Sequence, residues 1–368
     1  MYSTNPETPN KPYVNGITIR DSSGNPLQIK GFNVELHDVA ITGGFPEFVQ
    51  WLKNNGFNSV RALVWWHDFE PNEGDYNSNY FKYLDDLISN CEQQQIYVNI
   101  CFHQWQYSPF FTYGTGIGAG FPDWLISNGG YSDSATGAKQ FTSDFYQNQG
   151  YGISARQKFL EFWQYLANRY KDYNYVWAYE LMNEPTIISG FSWDSAALAG
   201  IMDFYEEVTI SLRAIDPNTI LLYHYISGAV ASQGRLDYER PVPYSNIVWT
   251  RSWYDVAYGS YSSSEYSQIV TRITNLKHAF NDQLGTPFTI SEMGISTTDY
   301  NTNPSGAEQW IRDTFDTIRN IGMNNGYEAW SWYLYHKGNP STGKHGYTIP
   351  RDASGDNTWM VPVFQEYF

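Results

Sequence analysis

Residues 177–185 read WAYELMNEP and residues 288–294 read FTISEMG. Each is a short, almost wholly apolar run that stops at a carboxylate, the first at Glu184 and the second at Glu292. Runs of this length without polar alternation fit strands of a parallel sheet, covered on both faces. Six more lie along the chain at 27–34, 59–64, 97–103, 219–225, 246–251 and 328–332. Helical periodicity fills the intervals at 45–54, 79–95, 153–170, 195–215, 265–281 and 305–320. The connections after the fifth strand and at the C-terminus are weak as helices.

Eight strand–helix units predict an α/β chain folded as a single (β/α)₈ barrel, a TIM barrel. An open doubly wound sheet also fits the alternation, but no Gly-rich phosphate loop follows the first strand. Ahead of the barrel, 13–28 (YVNGITIRDSSGNPLQ) reads as a short β-hairpin turned at Ser23-Gly24-Asn25, placed to plug the barrel's N-terminal end. No linker, repeat or charge block divides the 368 residues, so residues 12–368 form one catalytic domain behind a flexible N-terminal stalk, 1–11. That stalk, polar and Pro/Asn-rich, resembles the segment left behind by a removed signal sequence, and an extracellular location is expected.

Composition narrows the function. The net charge of −16 argues against nucleic acid and anionic membrane surfaces, whereas a neutral polysaccharide is indifferent to it. No apolar stretch approaches the ~18 residues of a membrane span. Aromatic residues make up 18% of the chain, too many for all to be buried, and flat rings suit the C–H faces of sugars. Many of the tyrosines also fit a plain polar surface. Cys91 and Cys101 have no metal or disulfide spacing and read as small buried hydrophobes. His224, His278, His336 and His345 likewise show no ligand spacing, so no metal and no cofactor is expected.

In such a barrel the chemistry gathers at the C-terminal ends of the strands. The residues there are Arg61, His103, Asn183, Glu184, Tyr254, Glu292 and Trp330 or Trp332. Two carboxylates across a barrel mouth suit glycoside hydrolysis, one protonating the leaving oxygen and the other attacking the anomeric carbon. Arg61 and Tyr254 can keep Glu292 ionised as nucleophile, and Asn183 can meet a substrate 2-hydroxyl beside the acid/base Glu184. Glu180, inside its strand, reads as a buried, paired carboxylate. Glu35, His37 and Asp38 read as a capped turn. Trp65, Trp66, Trp105, Trp124, Trp253 and Trp332 are candidate sugar platforms; of these Trp105, Trp253 and Trp332 flank the catalytic positions, and the rest suit a core equally well.

On LQIKGFNV (27–34), GFNSVRALVWW (56–66), FEPNEGDYN (69–77), WAYELMNEP, FTISEMG and WSWY (330–333), the chain resembles glycoside hydrolase family 5 over nearly its whole length. The resemblance implies a retaining β-glycosidase in which Arg61, His103, Asn183, Glu184, Tyr254, Glu292 and a Trp of the last strand line the cleaved subsite. One departure is Ser252-Trp253-Tyr254, where the family usually has His-x-Tyr. The stretch 102–124 (FHQWQYSPFFTYGTGIGAGFPDW) is similar to the loop after the third strand in endoglycoceramidase-like members. A long loop of little regular structure, from 104 to about 150, would wall one side of the cleft.

The expected activity is endo-acting cleavage of a β-1,4-linked polysaccharide, glucan before mannan, by a monomer whose partner is the polysaccharide or oligosaccharide substrate. A glycolipid or aryl/alkyl β-glycosidase is the second reading. A non-catalytic glycan-binding barrel is the third.

Overall fold

A computed structural model of the chain describes residues 11–42, 44–113, 118–185, 195–225, 239–254, 261, 263–294, 302–323, 326–327 and 360–367. Two short strands come first, β1 (Tyr13–Asn15) and β2 (Thr18–Arg20), paired antiparallel. The barrel strands come next: β3 (Ile29–Glu35), β4 (Ser59–Val64), β5 (Tyr97–Phe102), β6 (Val176–Glu180), β7 (Ile220–His224), β8 (Ile247–Trp253), β9 (Phe288–Met293) and β10 (Gly326–Tyr327). From β3 to β9 each strand pairs in parallel with the next, and β10 pairs with β3 while lying beside β9. The sheet thus comes round on itself as the (β/α)₈ barrel that the alternation predicts.

The described helices are α1 (Leu36–Thr42), α2 (Phe45–Asn54), α3 (Trp66–Phe69), α4 (Ser78–Gln94), α5 (Asp123–Asn128), α6 (Ala135–Gln147), α7 (Gly152–Tyr170), α8 (Ser195–Arg213), α9 (Ser263–Lys277), α10 (Pro304–Asn320) and α11 (Met360–Gln365). A π-helical turn, His278–Gln283, extends α9. The local logic is plain in α4. Asn77 caps it by accepting from the Asn79 N–H, Phe81, Leu84, Leu87, Ile88 and Cys91 share the buried face, and Gln95 ends it at φ 59°.

Side-chain parity divides the core. An outer layer, between sheet and helices, includes Val60, Ala62, Val64, Val98, Ile100 and Phe102. Inside the barrel floor sit Ile29, Trp177, Ala178, Ile220, Leu222 and Val248, capped by Ile19 of β2. The hairpin therefore plugs the barrel's N-terminal end, as its position in the sequence suggests. Close approach of β3 to β4 depends on Gly31, where a Cβ would lie 2.2 Å from the Ser59 carbonyl oxygen.

Four expectations need correction. The N-terminal segment turns twice where one turn was expected: first at Gly16-Ile17, with Gly16 at φ +61°, and again at the expected Ser23-Gly24-Asn25, where Asp21 accepts from the Ser23 and Asn25 N–H groups and Arg20 bridges Pro26 antiparallel. The stretch from 104 to 150 is not a bare loop but carries α5 and α6, whose amphipathic spacing is masked by intervening Gly and Ser. Glu35, His37 and Asp38 read as a capped turn, but Glu35 ends β3 and the next two fall in helix α1, Leu36–Thr42. Lys11 is not part of a loose stalk: it is buried, donating to Thr219 Oγ1 at 2.7 Å with Asp216 at 3.5 Å. The strand placed at 328–332 lies outside the described residues.

Candidate active site

Two irregularities in the sheet decide which carboxylates enter the barrel. Val176 and Ile290 face the helix layer, so strict alternation would turn Glu180 and Glu292 outward as well. Between β5 and β6 the register jumps from Val98↔Val176 to Asn99↔Ala178, leaving Trp177 extra. Between β8 and β9 it jumps from Arg251↔Ile290 to Ser252↔Glu292, leaving Ser291 extra. Each extra residue reverses the parity, and both glutamates point inward.

They meet at Arg61, which β4 holds inside the barrel at 1% exposure. All five of its N–H donors are used. Nε donates to Glu180 Oε2 at 2.7 Å and Nη2 to Glu180 Oε1 at 2.6 Å, a bidentate pair. Nη2 also donates to Asn183 Oδ1 at 2.8 Å, and Nη1 donates to Asn33 Oδ1 and Glu292 Oε1, each at 2.6 Å. The guanidinium has no freedom left to turn.

Glu180 is equally saturated. Besides Arg61 it accepts from Asn99 Nδ2 at 3.1 Å and from His224 Nδ1 at 2.8 Å. The Ser252 N–H donates to His224 Nε2 at 3.2 Å, which leaves Nδ1 to donate to Glu180. Burial alone would raise the Glu180 carboxyl; Arg61 and the His224 donor reverse that and hold it well below the usual carboxylate range.

Glu292 receives Arg61 on Oε1 and the Tyr254 hydroxyl on Oε2 at 3.2 Å. Burial pushes its carboxyl up, Arg61 pulls it down, and the charge of Glu184 pushes it up again, leaving it above its ordinary value. Glu184 is thus near enough to be felt. Its own carboxyl is partly exposed, and among the described residues it bonds no cation. Its backbone has φ +36°, a left-handed geometry rare for a residue with a side chain. Gln104 Nε2 donates to the carbonyls of Asn183 and Glu184, at 2.9 and 2.6 Å.

His103 lines the same wall, its Nε2 at 3.9 Å from Glu292 Oε1 and its ring edge-on to Trp65 at 4.5 Å. Burial and the neighbouring Arg61 push it well below its ordinary value, so it is neutral. Trp65 in turn donates its indole N–H to Glu35 at the end of β3.

Of the residues picked from the sequence, Arg61, His103, Asn183, Glu184, Tyr254 and Glu292 therefore come together. Trp105 is 54% exposed at the rim, open to a ligand. Trp253 is not a platform: parity on β8 sends it outward into the helix layer, fully buried against Arg251. Trp330 and Trp332 lie outside the described residues. Sequence reasoning passed over Asn33, Gln104 and His224. Asn33 and His224 were detectable as polar residues at inward positions of otherwise apolar strands. Gln104 offered no such signal, since its partners are backbone carbonyls of another strand end. Among the described residues no cluster of His, Cys, Asp and Glu has the arrangement of a metal site, and no helix is long and apolar enough to cross a membrane.

Comparison with known proteins places this geometry. Endo-glycoceramidase II from Rhodococcus sp. superposes with TM-score 0.71 at 22% identity, over 85% of this chain and 75% of its own. A β-glucanase from Saccharophagus degradans gives 0.66 at 15% identity, over 98% of this chain and 93% of its own. In sequence, the endoglycoceramidase of Cyanea nozakii is 24% identical over 212 residues, 48% of this chain and 41% of that protein. That of Hydra vulgaris is 24% identical over 200 residues, 45% of this chain and 38% of that protein. The chain thus spans well under half the length of these two relatives. Residues 20–337 match the cellulase family, and the chain belongs to glycosyl hydrolase family 5.

Proposed function

We propose that this glycosidase is a retaining enzyme in which Glu184 is the acid/base and Glu292 the nucleophile, and that it cleaves a β-linked sugar from a bulky, apolar aglycone of glycolipid type. The observation that carries the assignment of roles is the asymmetry around the two carboxylates. Glu292 accepts from Arg61 and Tyr254, donors that favour its ionised form, whereas Glu184 bonds no cation among the described residues. Glu184 gives its proton to the glycosidic oxygen as the Glu292 carboxylate attacks the anomeric carbon, forming a glycosyl ester and expelling the aglycone alcohol. Glu184, now ionised, takes a proton from water, whose oxygen displaces Glu292; two inversions leave the anomeric configuration unchanged.

The substrate order expected from sequence is reversed here. The 102–124 stretch that resembles endoglycoceramidases carries Trp105 on its surface and half-buried Phe110 and Tyr113 behind it. The named relatives support the same side. Soluble β-glucan is the second reading, supported by the fit to a β-glucanase along nearly the whole chain. Product release from glucosyl- and lactosylceramide, carboxymethyl cellulose, β-glucan, mannan and xylan separates them. Release from polysaccharide alone overturns the glycolipid assignment. Glu292→Ala should abolish turnover, and added azide should then yield a glycosyl azide of inverted configuration. Binding without turnover in the wild type would instead mark a glycan-binding barrel.

A further inference from the structure

We propose that Gln104 is a positioning residue for the acid/base: it holds the Glu184 peptide in its left-handed turn and ties that turn to the long connection after β5. The inference rests on the assignment of Glu184 made above.

Gln104 is almost completely buried, and both ends of its amide are spent on backbone. Nε2 donates to the Asn183 and Glu184 carbonyls at 2.9 and 2.6 Å, and Oε1 accepts the Tyr107 N–H at 3.0 Å. Its own carbonyl accepts from Asn183 Nδ2 at 3.1 Å, closing the clasp from the other side. With these bonds made, the side chain has little left to offer a sugar, which distinguishes it from a substrate contact.

The two segments it joins are the ones that need holding. Glu184 has φ +36°, and Gln106 and Tyr107 have φ +53° and +66°. An L residue is strained in that region, so the surrounding structure must supply the restraint. One amide supplies it to both turns. Gly120 completes the arrangement, since a Cβ there would lie 2.7 Å from Gln104 Cβ and 2.9 Å from the Tyr107 carbonyl oxygen. The connection that presents Trp105 to a ligand is thus fastened to the residue that protonates the leaving group.

A displaced acid is costly only where proton transfer matters, so the proposal has a signature that a packing defect lacks. The experiment measures kcat/KM on aryl β-cellobiosides and β-lactosides, from dinitrophenyl to unsubstituted phenyl, for wild type, Gln104→Met and Glu184→Ala. Methionine keeps the bulk and removes the donors. Gln104→Met should stay within about 3-fold of wild type on the dinitrophenyl glycosides and fall about 100-fold on the phenyl glycosides. It should share the steep leaving-group dependence of Glu184→Ala. Equal losses across all leaving groups, or none, overturn the proposal. A uniform loss in Glu184→Ala itself removes the acid/base assignment instead, and the proposal with it. If Gln104→Met does not fold, Gln104→Glu, which keeps the Tyr107 contact and sets a carboxylate against the two carbonyls, is read by the same criterion.

Discussion

Tyr254 and His103 border the same carboxylate, but each answers to pH in its own way. The Tyr254 hydroxyl stabilises the ionised form of Glu292 by donating to it. Removing that donor favours the protonated form, so Tyr254→Phe should move the acidic limb of the kcat/KM profile to higher pH; an unmoved limb would show that the 3.2 Å bond does not act on the free enzyme. His103 titrates in the other direction. Its folded value is depressed, so below its ordinary value of 6.5 the unfolded chain takes up a proton that the folded chain refuses. Stability is therefore lost as pH falls through that region, with a slope of at most about 1.4 kcal/mol per pH unit for this one group. Glu180 adds a second loss further down, because a carboxyl held below its ordinary value contributes stability only while the unfolded group is ionised. Urea midpoints of His103→Gln and wild type between pH 7 and 5 should converge on acidification if this is right.

Among the strands, the alternation of apolar runs carried most of the fold because each run ends at a residue that breaks it. The same feature made Arg61, Asn183, Glu184 and Glu292 legible as a set before any contact was known. What could not be read was parity. The extra residues Trp177 and Ser291 have no sequence signature, yet they decide that Glu180 and Glu292 enter the barrel and, without such a shift on β8, that Trp253 leaves it. Helices α5 and α6 were missed because Gly137 and the serines around it dilute their apolar face, and Gly137 is required where a Cβ would meet the Ser132 carbonyl oxygen at 2.0 Å. Gly31 offers the equivalent test in the sheet. Gly31→Ala forces β3 from β4 and should lower stability by about 1–3 kcal/mol. A shifted urea midpoint with unchanged m-value is the readout.

Over the whole molecule, stability and chemistry occupy opposite ends of the barrel. Ile19 seals the floor, fully buried among Ile29, Trp177, Ile220 and Val248. Ile19→Ala should cost about 2–4 kcal/mol while leaving kcat on activated glycosides unchanged. A fall in kcat that parallels the loss of stability would mean that the floor and the mouth are mechanically linked. At the mouth, the saturated Arg61 fork has a consequence in electrostatic terms. Arg61 is one positive charge shared between the carboxylates of Glu180 and Glu292, so the resting centre carries an excess negative charge that no described side chain cancels. In the proposed cycle the glycosyl ester consumes the Glu292 charge while Glu184 gives up its proton, so the excess negative charge crosses the mouth from Glu292 to Glu184 as the covalent intermediate forms. A cationic sugar mimic therefore meets a charge at Glu292 only in the resting enzyme, and in the glycosylated one the bound sugar already fills its place; it should protect Glu292 from covalent trapping without slowing hydrolysis of an ester already made.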